Sequence, residues 1–213
     1  MAMPYPVPAN EAERLRTLRA YKILDTNPEE RFDELTRLAA LICGTPISLI
    51  SLIDTDRQWF KSKFGLDMEE TPRAQAFCTH AIMQPEMFVV PDATKDERFA
   101  QSPLVTGDPH IRFYAGAPLA ARDGHLLGTL CVIDREPHTL TEAQKEALKI
   151  LGKLVIANIE LRSDLQNLRD TLAREATESA SAASAENLDE IILRLQGVAS
   201  DLQAVRQGKM PVA

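Results

Sequence analysis

Val90–Arg135, VPDATKDERFAQSPLVTGDPHIRFYAGAPLAARDGHLLGTLCVIDR, is the stretch that decides the fold class. It holds two strand-like runs, Ile111–Leu119 and Leu126–Asp134, joined across Arg122-Asp123-Gly124. The Asp-Gly step supplies the positive φ that a tight antiparallel hairpin needs. Ahead of the hairpin, PDATKDERF is a charged loop, and loops held on a rigid sheet are where binding residues concentrate. Alternation along the first strand sets Ile111, Phe113 and Ala115 on one side and His110, Arg112 and Tyr114 on the other. The first set suits a face covered by helices. The second is polar enough to face a pocket.

Upstream, PISLISLI (Pro46–Ile53) is short, apolar and β-branched, which predicts a buried strand. The turn Asp54-Thr55-Asp56 returns the chain into Gln58–Lys63, and Met87–Val90 reads as a further brief strand. Two helices precede these strands. Asn10, with Glu13 three residues on, predicts one start. Asn27, followed by Pro28 and two glutamates, predicts the other. In the second helix Phe32, Leu35, Ala39 and Ile42 fall on one stripe, and Gly44 is placed to stop it. RAQAFCTHAIM suits a short helix, and a helical turn is expected within Asp96–Leu104. Hairpin connections with helices at both ends imply an α+β layer with an antiparallel sheet.

Thr141 and Gln144 form a capping box that opens a long helix. Leu148, Leu151, Val155 and Asn158 lie along one line of it. Leu161, Leu165, Leu168 and Leu172 then alternate by four and three, the spacing of a two-stranded coiled coil. A second seam, Leu188, Ile191, Leu195, Val198, Leu202 and Val205, is out of phase with the first by two residues. One uninterrupted heptad coil is therefore not expected. The organisation read from these features is an extended arm over 1–9, a globular α+β domain over 10–162 and a coiled-coil continuation over 163–178. An Ala/Ser-rich hinge over 179–186 and an amphipathic helix with a tail over 187–213 complete it.

Among 213 residues, 45% are hydrophobic and 26% charged, a globular balance, and the net charge is −7. That charge disfavours nucleic acid and anionic membranes alike. No apolar run approaches the roughly 20 residues of a membrane span. The Pro-rich start MAMPYPVPANEAERL reads as an arm, not a signal peptide. Three scattered cysteines, Cys43, Cys78 and Cys131, make no disulfide framework, so a reducing cytoplasm is expected.

Several blocks in order carry a family resemblance. They are LRTLRAYKILDT, PEERFDELTRLAALICGTPISLISLID, RQWFKSKFGL, FCTHAI, PDATKDERFAQSPLV, IRFYAGAPL and GTLCVIDREPHTLTEAQ. Over about Asn10–Arg162 the chain resembles the GAF domain of bacterial signalling proteins, notably modules attached to histidine kinases and diguanylate cyclases. The resemblance implies a central antiparallel sheet of about six strands, terminal helices on one face and irregular segments enclosing a small-molecule pocket on the other. It also implies a C-terminal helix that passes a signal to an output. No kinase-like or cyclase-like segment follows within the chain, so a kinase, a cyclase or another signalling protein is expected as partner. The Asp-Ile-Pro block of bilin-binding relatives is absent. So is the Asn-Lys-Phe-Asp-Glu signature of cyclic-nucleotide-binding ones.

The candidate ligand-binding residues are Trp59, Phe60, Cys78, His80, Asp92, Arg112 and Tyr114. Arg112 either anchors an anion or pins the loop through an ion pair with Asp92 or Asp96, and the ion pair is the preferred reading. Cys78 and Cys131 are the redox candidates. No CxxC or other paired spacing completes a metal site, no cofactor motif stands out, and no nucleophile comes with its base. The expected function is a sensor that binds a small molecule or registers redox state, without catalysis of its own. It would dimerise through Leu161, Leu165, Leu168 and Leu172, because a seam outrunning its domain needs a partner. The alternatives are an interaction protein with a vestigial pocket and a thiol-dependent free methionine-(R)-sulfoxide reductase.

Overall fold

The PISLISLI run becomes the central strand β1 (Ile47–Ile53), buried along its whole length. In a computed structural model that describes residues 5–206, β1 is flanked by β2 (Arg57–Phe64) and β6 (Leu126–Asp134). β3 (Glu70–Pro72), β4 (Phe88–Val90) and β5 (Phe113–Ala120) complete the sheet. The order is β3-β2-β1-β6-β5-β4, and every pairing is antiparallel. The turn between β5 and β6 places Gly124 at φ 84°, the left-handed geometry that a residue without Cβ adopts freely.

Helix α1 (Glu11–Ala20), α2 (Glu30–Cys43) and the first turns of α5 (Glu142–Arg206) cover one face. There Leu18, Phe32, Ala39 and Cys43 meet Ile50, Leu52, Phe113, Ala115 and Val132. Leu148, Leu151, Val155 and Ile159 of α5 join the same layer. Each large side chain buried in this way contributes roughly 1.5–3 kcal/mol. On the opposite face, α3 (Phe77–Ala81), α4 (Pro103–Thr106) and the loops between them make a second apolar layer. It contains Ile47, Leu49, Phe60, Tyr114, Cys131 and Ile133 of the sheet.

Local departures from the sequence reading have physical causes. Helix α2 starts at Glu30, not after Asn27, because Glu29 stays extended while its carboxylate serves Lys61, Arg31 and Arg162. Asn10 sits at the N-cap position of α1 without a side-chain cap. Glu11, one residue on, binds Arg14 and Arg73. The buried stripe of α2 is Phe32, Thr36, Ala39, Ala40 and Cys43, and Ile42 is exposed. Ile111 joins the second layer because β5 begins only at Phe113, so strand alternation does not yet govern it. A bulge opposite Ile50 and Ser51 makes Lys61 an extra residue in β2. Both Lys61 and Ser62 then reach α2 and the segment before it: Lys61 Nζ donates to Glu29 at 2.8 Å, and Ser62 Oγ donates to Asp33 at 2.6 Å.

The chain divides into two compact units, the first ending at Ser163 and the second starting at Asp164. In the first, residues 5–8 have no regular structure, and the Tyr5 ring lies 5.3 Å from the Arg73 guanidinium carbon. In the second, the backbone carries α5 without a break through residues 179–186, the stretch read as a hinge. Ala is the strongest helix former, and nothing in that stretch removes a backbone donor. Ile191, Leu195 and Val198 of the second seam are exposed. The side chains of Leu188, Leu202 and Val205 lie outside the described residues, as do the start of the arm (1–4) and the tail (207–213). No helix among the described residues is long and apolar enough to cross a membrane.

Candidate functional site

Alternation along three neighbouring strands sends four polar side chains into the layer beneath α3. They are Ser51 of β1, Thr129 and Cys131 of β6, and Tyr114 of β5. They converge on Cys78, which α3 lowers onto the sheet. Stacking of Phe77 on Phe99, with ring centroids 4.0 Å apart, and on Tyr114, at 5.3 Å, fixes that helix. Ser51 Oγ and Thr129 Oγ1 each donate to Cys78 Sγ at 3.1 Å, and Tyr114 OH donates at 3.2 Å. Cys131 Sγ is 4.0 Å from Cys78 Sγ. All five residues are buried.

Burial alone raises a thiol's pKa, since it disfavours the charged form. It pushes Cys43, which no such donors surround, up to about 11. At Cys78 burial acts in the same direction, but hydrogen bonds from Cys131, Ser51, Thr129 and Tyr114 outweigh it and bring the thiol down to about 7. Cys131 and Tyr114 are pushed well above their ordinary values, by burial first and then by Cys78, through its hydrogen bond at Cys131 and its charge at Tyr114. The three hydroxyl donors converge on Cys78 Sγ, so the geometry favours negative charge there.

Gly116 makes the Tyr114 contact possible. A Cβ at position 116 would lie 2.3 Å from the Tyr114 hydroxyl oxygen, so only a residue without a side chain leaves that lane open.

Next to Cys78 is a cavity of about 20 Å³, lined among others by Gln58, Phe60, Thr71, Phe77 and Tyr114. Gln58 Oε1 and Thr71 Oγ1 are buried without a protein partner. The space has the volume of about one water-sized molecule. It is far below the roughly 300 Å³ of a small metabolite pocket. A larger concavity of about 550 Å³ lies over β4, β5 and the start of α5, but it is an open groove in which Lys145 and Lys149 already pair with Glu142 and Glu146.

Of the candidates read from sequence, Phe60, Cys78 and Tyr114 come together at the cavity. Trp59 does not: neighbouring strand residues point to opposite faces, and Trp59 joins the helix-covered layer. His80 stands outside the cavity against Phe99, 4.9 Å between ring centroids, and burial followed by the Arg98 charge lowers its pKa. Asp92 caps its own turn through Thr94 and pairs with Lys95, while Asp96 pairs with Arg98. The expected ion pair of Arg112 with Asp92 or Asp96 is therefore not formed. Arg112 Nη1 donates to the carbonyls of Val105 at 2.8 Å and Ile111 at 3.0 Å, tying α4 to β5. Sequence reasoning missed Ser51, Gln58, Thr71 and Thr129. The available signal was a hydroxyl on the inward parity of otherwise apolar strands. Among the described residues, no group of three His, Cys, Asp or Glu is arranged to hold a metal.

Residues 27–159 match the sequence pattern of the family described as GAF domain. The chain belongs to the GAF family. The chain is 46% identical over 165 residues to a cyclic di-GMP phosphodiesterase of Pseudomonas aeruginosa, a match that covers 76% of this chain and 28% of that protein. This chain therefore corresponds to about a quarter of the relative's length. Among solved structures, the GAF domain of an Acinetobacter phosphoenolpyruvate-protein phosphotransferase aligns with TM-score 0.54 and 19% identity, over 73% of this chain and 98% of that one. A free methionine-R-sulfoxide reductase of Neisseria meningitidis aligns with TM-score 0.53 and 16% identity, over 78% and 99%. At such identities these two establish the GAF fold and nothing about chemistry.

Proposed function

We propose that this GAF module is the sensory part of a cyclic di-GMP signalling system, and that it relays a change in the layer around Cys78 through α5. The observation that carries the reading is the double life of α5. Its first turns are buried against the sheet at Leu148, Leu151, Val155 and Ile159. The same helix continues to Arg206 with Leu161, Leu165, Leu168 and Leu172 between 45% and 56% exposed. Strands β5 and β6 connect the two sides of the relay. Tyr114 and Cys131 face the thiol layer, while Ala115, Ala117 and Val132 face the helix-covered layer to which Leu148, Leu151, Val155 and Ile159 of α5 belong, and Ala117 lies against Gly152. A shift of either strand alters the seat of α5, provided that two packings exist which the stimulus distinguishes. The named activity of the Pseudomonas relative supports cyclic di-GMP turnover as the output.

In this reading the exposed leucines pair with a second copy of the chain. Analytical ultracentrifugation at micromolar concentration should show a dimer, and the Leu165→Asp, Leu168→Asp double substitution should give a folded monomer. A wild-type protein that sediments as a monomer would sink the relay. The size of the cavity favours a second reading, in which the module is an interaction protein that takes no metabolite. Native mass spectrometry tests this second reading: a retained small molecule overturns it and supports a ligand-gated sensor.

A further inference from the structure

We propose that Cys78 and Cys131 are an oxidisable thiol pair, in which Cys78 reacts with a hydroperoxide admitted to the adjoining cavity and Cys131 closes the product to a disulfide. The inference rests on the reading of the Cys78 layer as the sensing site and names the stimulus. Three independent features support it. First, Cys78 Sγ receives three hydroxyl donors at 3.1, 3.1 and 3.2 Å, which suits a thiolate, the reactive form of the group. Second, Cys78 lines the cavity and has Cys131 Sγ beside it at 4.0 Å, so the attacking and resolving sulfurs have separate places. Third, the cavity has room for about one small molecule, and Gln58 and Thr71, whose Oε1 and Oγ1 are buried without a protein partner, are among the residues that line it. A metabolite is excluded by size where a peroxide is not.

The chemistry balances. The Cys78 thiolate attacks one peroxide oxygen, forming S–O and breaking O–O. The departing hydroxide takes up the proton that Cys78 released and leaves as water, and Cys78 becomes a sulfenic acid. Cys131 sulfur then attacks Cys78 sulfur, forming S–S and breaking S–O. Hydroxide leaves with the Cys131 proton as a second water. Two thiols and one peroxide give one disulfide and two waters, with the two electrons moving from sulfur to oxygen. A dithiol reductant reverses the oxidation by exchange.

The test is peptide mapping of the full chain without reduction after stoichiometric hydrogen peroxide. The expected product links the Cys78 and Cys131 peptides, while Cys43 stays free as the internal control. In Cys131→Ser a dione probe should trap sulfenic acid at Cys78. In Tyr114→Phe the oxidation should slow about tenfold near neutral pH, the effect of removing one hydrogen bond to a charged sulfur. Failure to form the Cys78–Cys131 link in the wild type, or oxidation of Cys43 at the same rate, overturns the proposal. Turnover of free methionine sulfoxide with a dithiol, lost in Cys131→Ser, overturns it too, since the pair would then be catalytic machinery and not a peroxide sensor. The outcomes separate from those of the relay. A dimer without the disulfide removes this inference alone, and a disulfide in a monomer supports the thiol site and removes the relay.

Discussion

Cys78 reverses the usual consequence of burying a thiol, and the reversal depends on donors from three different strands. Direct titration of thiolate absorbance in the ultraviolet reads this without reagent access. One step should appear near pH 7 and vanish in Cys78→Ser, because the thiolate fraction rises as pH passes the depressed pKa. A first step no lower than the ordinary cysteine value would contradict it. Gly116→Ala should move that step upward, since the new methyl would occupy the position 2.3 Å from the Tyr114 hydroxyl and evict this donor. At this scale the sequence named Cys78, Cys131 and Tyr114. It did not reveal Ser51 or Thr129, because whether two hydroxyls on separate strands reach the same sulfur depends on strand register, which no local pattern contains.

Elements succeed or fail by how they are tied. The capping box at the start of α5 forms as its sequence signature predicts: Gln144 N donates to Thr141 Oγ1 at 3.2 Å, and Thr141 N donates to Gln144 Oε1 at 2.9 Å. Thr141→Ala should cost about 1 kcal/mol in urea unfolding. Glu29 ties three elements at once, holding Lys61 of β2 and Arg162 of α5 at 2.8 Å each just ahead of α2. The Lys61 side chain is fully buried, so Glu29→Gln leaves its ammonium without a countercharge and should destabilise by roughly 3 kcal/mol. A loss no larger than that of an exposed ion pair would remove Glu29 from this role. The start of α2 was misread for the same reason. Asn27-Pro28 is a sound local start signal, but the tertiary demand for the Glu29 carboxylate moved the helix start downstream.

Over the whole molecule, acid sensitivity follows from two carboxylates. Burial disfavours the charge of Glu29 and of Glu11, but hydrogen bonds from Lys61 and Arg31 at the first, and from Arg14 and Arg73 at the second, hold both down to about 2. The folded pKa values lie below the unfolded ones, so the unfolded chain binds more protons between them. Their stabilisation is complete above about pH 4.5 and is lost as pH falls towards 2. Circular dichroism during acid titration should show this loss, and Glu29→Gln should flatten it. A second test concerns output. Replacing the matching segment of the Pseudomonas phosphodiesterase with this GAF module should make its cyclic di-GMP hydrolysis respond to peroxide. Hydrolysis that ignores the inserted segment would disconnect the module from such an output. The sequence by itself determined the α+β class, the hairpins, the capping box and the leucine seam of α5, because periodicity, turn chemistry and caps are local. Only the tertiary structure decided that Trp59 faces the helices, that Arg112 holds carbonyls and that the cavity beside Cys78 measures about 20 Å³. Those outcomes depend on strand register, on the bulge in β2 and on how tightly distant side chains fill the space between layers.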